Sequence, residues 1–558
     1  MAPPALGAAA AARRLAAAAA ILAAATAPLP ALGGGPPDER EPPSAADAVR
    51  VDPATGFLRD SKGRVRIFHG VNVVYKKAPW YPPSDTFSPE DSLDAHTMDL
   101  LRKWGFNVVR LGVMWPGVEP SHGQIDEAYL SEVSRLSSEL AKRGVYTLAD
   151  LHQDVGSRRF CGEGFPEHYI DALADDPGSN FSRAPAFPRP MHFEVPGSGG
   201  GGGGVPALED CLKHQFAVYY LTDRVGAMWD SLYSPGSALN AGFVRFWGAV
   251  AKAFAGQPHV LGYELLNEPS GFCLGGGEMS CTNVPGVAVG NYVETHKLTP
   301  LYKAAAGAIR AVDGETPIFF EPTVTPKLVD VFPEPPLGDE PQQVFAYHIY
   351  CQAGDGAGPV ASATCLAAQD LFTHSYYGFL RKNKRVAGFM TEFGAIGGSP
   401  KELDHLRRLL GFADGEMQSW TYWMLKKYQD FTTANAAESL YDENGNLEVE
   451  KLKALSRTYA PAIAGTPSRM SFDPDTGAFE LTFNATLADA ATEVYLNEEL
   501  NYPDGYTTEV TPSSCLAHTS PEPNYLHFRL LPGASCQGST VTVRIARQKK
   551  NATEAFVI

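Results

Sequence analysis

Eight apolar runs, each closing on polar or charged residues and most of them separated by stretches with helical spacing, constrain the fold of this chain more than any other feature. They lie at 65–74, 107–113, 145–152, 260–266, 317–321, 344–350, 386–392 and 418–424. Leucines and alanines at helical intervals predict helices over about 89–104, 126–143, 215–232, 241–254, 294–312, 366–381 and 400–412. Strand and helix alternating in this way over roughly 400 residues predict an α/β fold, a (β/α)8 TIM barrel spanning 51–462. The rhythm breaks between 155 and 257, where a long insertion carries a run of glycines at 199–204. Such a run cannot hold a packed conformation cheaply, so the insertion is expected as a loop on the rim.

Beyond residue 462 the texture changes. Runs at 479–484, 492–496, 526–530 and 540–545 alternate at period two with turn residues between them. They predict a C-terminal antiparallel β-sandwich domain over 463–558, more a cap packed on the barrel than a module that binds sugar.

With 46 basic against 63 acidic residues and no long basic cluster, the chain does not suit a nucleic-acid partner, whose phosphates demand a positive face. Arg13 and Arg14 precede an apolar run from Leu15 to Ala25 and then small residues and prolines, the layout of a secretory signal peptide ending near Gly33. A disordered lead over 34–50 follows. Secretion and an oxidising compartment agree with an even count of eight cysteines. Proximity pairs Cys273 with Cys281, Cys351 with Cys365 and Cys515 with Cys536, leaving Cys161 with Cys211. The triplets at Asn180, Asn484 and Asn551 are glycosylation sequons.

The chemistry is expected where strands end, because barrel enzymes work at the C-terminal rim. The fourth run stops at Asn267-Glu268-Pro269 and the seventh at Glu392-Phe-Gly394. Hydrolysis of a β-glycoside with retention needs an acid to protonate the leaving oxygen and a carboxylate, roughly 5 Å away, to attack the anomeric carbon. Glu268 and Glu392 are the catalytic candidates. The acid needs a raised pKa, which burial and a neighbouring carboxylate would supply.

Other strand-end residues are given tasks by the same logic. Asn267 is expected on the sugar 2-hydroxyl, and His348 and Tyr350 are placed to hold a carboxylate. His152 and Asp154 are placed on sugar hydroxyls, and Trp423 offers a flat face for a sugar ring. Arg110, mid-strand and costly to bury alone, is expected to pair with a catalytic glutamate. Glu264, Asp150 and Glu321 are weaker choices: Glu264 lies inside its strand, and Glu321-Pro322 is the reserve carboxylate. No cofactor or metal motif is present in the sequence.

Together these stretches resemble glycoside hydrolase family 5, with its acid/base in an Asn-Glu-Pro motif after strand four and its nucleophilic glutamate after strand seven. Trp115-Pro-Gly-Val-Glu-Pro120 with Gly123 and Tyr129, Leu151-His152-Gln153-Asp154-Val155, and Glu392-Phe-Gly394 resemble the endoglycoceramidase branch of that family, from about residue 50 to the end. The resemblance implies that Glu268 is the acid/base and Glu392 the nucleophile. It implies further that His152, Asp154, Asn267, Tyr350 and Trp423 line the glucose subsite next to the ceramide, and that Lys76 reaches the sugar. The substrate implied is a glycosphingolipid, cut between intact oligosaccharide and ceramide by a monomer that meets a membrane or micelle only through that lipid. Relatives acting on glucosylceramide, galactosyl-glycolipids or steryl glucosides share the same catalytic pair, and an endo-glucanase is a further alternative. Phe181, Phe187, Phe193 and Leu274 are expected to supply an apolar trough for the acyl chain. Outside the enzymes, the competing reading is a glycolipid-binding protein that kept the barrel and lost turnover.

Overall fold

Eight parallel strands close on themselves in sequence order: β1 (His69–Val73), β2 (Val108–Gly112), β3 (Tyr146–Asp150), β4 (Val260–Glu264), β5 (Ile318–Phe320), β6 (Gln343–Ile349), β7 (Ala387–Phe393) and β8 (Ser419–Tyr422). The last pairs with the first through Thr421 opposite Gly70, which leaves no free edge. This computed structural model describes residues 48–175, 205–214, 216–271, 290–324, 331–351, 359–428, 432, 437–531 and 536–548. The signal-like segment, the glycine tract, Cys273, Cys281, Asn180, Asn551 and the expected trough residues Phe181, Phe187, Phe193 and Leu274 lie outside the described residues.

The connecting helices are amphipathic and lay one face on the barrel. The helix Glu127–Ala141 starts where the Asp126 side chain accepts from the amides of Ala128 and Tyr129, and buries Leu130, Val133, Leu136 and Leu140. The helix expected from 89 begins later, at Ala95, because Asp94 caps it through the Thr97 amide. The helix expected from 294 is a π-helical turn, Glu294–Leu298, running into the α-helix Thr299–Arg310. The insertion after β3 holds helices Glu167–Asp175, Asp223–Tyr233 and Ala238–Phe254, and the disulfide Cys161–Cys211 staples its described parts. Cys351–Cys365 and Cys515–Cys536 are also bonded.

Period-two alternation sends every second strand residue inward. The lower interior is apolar, filled by Phe68, Val108, Leu148, Leu261, Phe319, Val344, Ala346 and Phe389. Val49, Val51 and Leu58 belong to the same cluster, so a segment preceding β1 plugs the barrel floor.

That segment departs from the expected division of the chain. Val49–Val51, Leu58–Asp60 and Val65–Arg66 join Tyr459–Ile463, Thr492–Tyr495, Tyr525–Leu530 and Leu516–Glu522 in one seven-stranded antiparallel sheet. The run at 65–74 is therefore two strands: Val65 pairs with Ile463 in the sandwich, and β1 enters the barrel. A second sheet of Gly465–Asp473, Ala478–Ala485, Ser539–Arg547 and Tyr506–Thr511 completes the sandwich. At the junction the His69 ring is stacked against Trp420, 4.2 Å away, and Tyr459, 3.7 Å away.

Candidate active site

The upper interior of the barrel is as polar as the floor is apolar. Arg110, fully buried on β2, is its hub. The guanidinium donates to Glu392 Oε1 at 2.5 Å, Glu264 Oε2 at 2.5 Å, Asn72 Oδ1 at 3.0 Å and Asn267 Oδ1 at 2.8 Å, and lies 3.0 Å from Asp150 and 3.5 Å from Glu321. Burial works against its charge, but these carboxylates push its pKa well above the ordinary arginine value.

A second hub is His348 at the end of β6. Its Nδ1 lies 2.8 Å from Glu268 Oε1 and 3.4 Å from Glu392 Oε2; Nε2 lies 3.2 Å from Thr391 Oγ1 and 3.3 Å from Glu321 Oε1. One carboxylate oxygen each of Glu268 and Glu392 and a ring nitrogen of His348 all fall within 4.8 Å of one another. Tyr350 donates its hydroxyl to Glu392 Oε2 at 2.6 Å, so Glu392 takes donors from two sides. Burial lowers the His348 pKa, yet Glu321, Glu392 and Glu268 together carry it well above the ordinary imidazole value. Burial raises the Glu392 carboxyl, opposed by the His348 and Arg110 charges. Burial pushes Glu321 up to about 8, against the lowering effect of the His348 and Arg110 charges.

Local chain geometry aims these groups. Glu268 has φ of 41°, a left-handed conformation that costs a non-glycine residue about 1–3 kcal/mol. The turn is clamped by Gln153, whose side-chain amide donates to the carbonyls of Asn267 at 2.7 Å and Glu268 at 3.0 Å, and by the Glu268 amide donating to Glu321 Oε2 at 3.1 Å. After Glu392 the chain leaves β7 through Gly394, with φ of 103°, where a Cβ would sit 2.2 Å from the Tyr422 ring. No larger residue fits there.

The remaining candidates form one wall. His152 lies 2.8 Å from Asp150 through Nδ1 and 3.4 Å from Asp154 through Nε2, and its ring stacks 5.1 Å from that of Trp423. Asp154 is held well below the usual carboxylate range by Lys76 and His152, which overcome its burial. Trp423, 7% exposed, donates its indole N–H to Glu438 at 3.2 Å. Lys76, expected to reach the sugar, is held by polar groups of this same wall. Its ammonium is fully buried, bonded to Asp154, 2.8 Å from Thr432 Oγ1, 3.1 Å from Glu163 and 4.8 Å over the Trp423 ring. The Asn267 amide donates to the Gln153 carbonyl at 3.0 Å while its oxygen accepts from Arg110 at 2.8 Å.

Sequence reasoning passed over Gln153, Glu163, Thr391 and Glu438, and ranked Glu264, Asp150 and Glu321 low. The signal for the last three was present: polar residues at inward positions one layer beneath the rim, where only a shared cation makes them affordable.

Residues 65–429 match the family described as Cellulase (glycosyl hydrolase family 5), and residues 457–545 match the glycoside hydrolase family 5 C-terminal domain. The chain belongs to glycoside hydrolase family 5. Similar family members include an endoglycoceramidase of Hydra vulgaris, 34% identical over 84% of each chain, and one of Cyanea nozakii, 33% identical over 83% of this chain and 87% of that one. Endoglycoceramidase I of Rhodococcus hoagii is 32% identical over 81% of this chain and 80% of its own. Among solved structures, endo-glycoceramidase II from Rhodococcus sp. has the same fold, with a TM-score of 0.66 at 22% identity over 88% of this chain and all of that one. As a family 5 member the protein is a glycoside hydrolase.

Proposed function

We propose that the protein is a secreted endoglycoceramidase, which hydrolyses the β-glucosidic bond between the intact oligosaccharide of a glycosphingolipid and its ceramide. One observation carries the chemistry: Glu268 and Glu392, 124 positions apart in the numbering, bring carboxylate oxygens within 4.8 Å of each other around His348. That spacing suits retention, where roughly 5 Å separates acid from nucleophile, and is too close for the inverting arrangement, which leaves room for a water. Similarity to three curated endoglycoceramidases over at least four-fifths of each chain favours this substrate over glucan.

In the first step Glu392 attacks the anomeric carbon as a carboxylate while Glu268 gives its proton to the ceramide oxygen, so the carbon–oxygen bond breaks and ceramide leaves as an alcohol. In the second, Glu268 takes a proton from water, the oxygen of that water attacks the same carbon, and Glu392 is released. Arg110 and Tyr350 hold Glu392 in line and stabilise it as an anion. Trp423, His152 and Asp154 form the wall for the first sugar, with Lys76 bracing that wall from beneath. Secretion draws support from the three described disulfides, and Asn484, exposed on its strand, is open to glycosylation.

The test is hydrolysis of a fluorescent ganglioside beside glucosylceramide and cellopentaose. The ganglioside should yield intact oligosaccharide and free ceramide, and Glu392→Gln should lose this activity while the fold stays intact by circular dichroism. Full turnover by that variant, or preference for cellopentaose, would remove the assignment.

A further inference from the structure

Glu321 stands one layer beneath the catalytic pair and reaches Glu268 by two routes, one direct and one through His348. Its Oε2 accepts from the backbone amide of Glu268 at 3.1 Å, the residue held at φ of 41°. Its Oε1 lies 3.3 Å from His348 Nε2 and 3.5 Å from Arg110, and is buried with well-aligned hydrogen bonds to neither. The other nitrogen of that ring lies 2.8 Å from Glu268 Oε1. One carboxyl thus meets both the main chain and, through an imidazole, the side chain of Glu268.

We propose that Glu321 is a positioning residue for proton transfer: it fixes the backbone of Glu268 with one oxygen and, with the other, shares a proton with His348 that keeps the ring donating to Glu268. This rests on the reading of Glu268 as the acid/base.

The charges around it explain why a third carboxyl sits here. Glu321 faces Arg110 from β2, Glu264 from β4, Glu268 from the turn beyond and His348 from β6, with the Tyr302 and Tyr376 hydroxyls close enough to feel its charge. His348 in turn faces Glu268, Glu321 and Glu392. The buried acids outnumber the cations at these two hubs, so a proton must reside among them. The oxygen with no aligned donor is where a carboxyl would carry it, and burial pushes Glu321 up to about 8, in agreement. When Glu268 becomes an anion after the first step, a charged His348 stabilises it; when Glu268 must regain a proton, Glu321 keeps one within a single ring of it.

The experiment compares Glu321→Gln, which keeps the shape and an acceptor for the Glu268 amide, with wild type on two substrates. Lactosylceramide has a poor leaving group and needs the proton from Glu268; 2,4-dinitrophenyl β-lactoside leaves without one. The expected result is a loss of at least tenfold in kcat/KM for lactosylceramide, several times the loss in burst rate for the dinitrophenyl lactoside, with KM within twofold. The alkaline limb of the lactosylceramide profile should move to lower pH, since Gln cannot become the anion that Glu321 turns into as pH rises through about 8, and without that anion His348 deprotonates sooner. Equal losses on both substrates, or an unmoved limb, would overturn the proposal. If the variant does not fold, 15N-histidine spectra of wild type decide it: both His348 nitrogens protonated at pH 7 support the shared proton, and a neutral ring at pH 6 refutes it. A wild type that turns over the aryl lactoside and leaves lactosylceramide intact would instead count against the ceramide substrate, leaving the role of Glu321 to the histidine spectra.

Discussion

The floor and the mouth of the barrel are built on the same eight strands and obey opposite rules. At the floor, inward positions are apolar, and Leu261, Phe319 and Phe389 touch the plug from Val49, Val51 and Leu58. Two residues further along the same strands, Gly70 gives way to Asn72, Val108 to Arg110, Leu148 to Asp150, Phe319 to Glu321 and Ala346 to His348. The floor stabilises the fold by removing carbon from water. The mouth holds charges that only each other make tolerable, and so spends stability on a fixed electrostatic arrangement. The difference teaches that the two halves should fail in different ways.

The largest failure should come from the mouth. Arg110→Met leaves Asp150, Glu264 and Glu392 buried without their shared cation. Breaking a buried ion pair from one side costs about 3–5 kcal/mol. Activity should also fall on the order of a thousandfold, because Glu392 loses a donor that holds it as an anion. Chemical denaturation and turnover would both report it; a stable, active Arg110→Met would end the contrast.

At the floor, Leu261→Ala should cost about 2–5 kcal/mol through lost burial and the cavity left behind. Here kcat at 25 °C should stay within twofold, since no floor side chain touches the site. A floor cavity that slowed catalysis tenfold would show that the two halves are mechanically coupled.

A gentler probe is pH. A carboxyl that binds its proton more tightly in the fold than in the unfolded chain contributes fully below about 4.5 and loses that contribution as pH rises through about 8, the Glu321 case. His348 and His152, raised in the fold, act in the same sense above pH 6.5. Between pH 6.5 and 8 stability should therefore fall, by on the order of 1 kcal/mol per pH unit, and Glu321→Gln should flatten the slope. A slope that rises over this window would mean that the carboxyls of the mouth are ionised throughout.

How far this contrast could be read before folding depends on the range of the interactions. Strand ends were legible because an apolar run stopping at Glu268 or Glu392 is a local signal. Arg110 was legible as a charge in need of a partner, though not as one shared by four carboxylates from four strands, since that number is set by barrel closure. The sheet that joins Val65 to Ile463 spans almost the whole chain, and no local pattern in two-residue and three-residue strands announces it. The surroundings of Lys76 were hidden for a related reason: Asp154, Glu163 and Thr432 arrive from distant segments to bury it.

The smallest effect tests whether a buried polar atom outside the mouth has any task. Thr147 sits on β3 between Tyr146 and Leu148, which belong to the floor cluster, so its side chain points to the opposite face of the strand. It is fully buried, and its hydroxyl has no hydrogen-bond partner. An unmet buried hydroxyl costs roughly 1–3 kcal/mol of desolvation, a cost that a methyl in its place does not carry. Thr147→Val should therefore leave stability unchanged or raise it by about 1 kcal/mol, with turnover within twofold of wild type. An unpartnered atom in the mouth, Glu321 Oε1, should behave in the opposite way when altered. If calorimetry found Thr147→Val destabilised by 1 kcal/mol or more, the hydroxyl would be engaged by an ordered water and would have a task of its own.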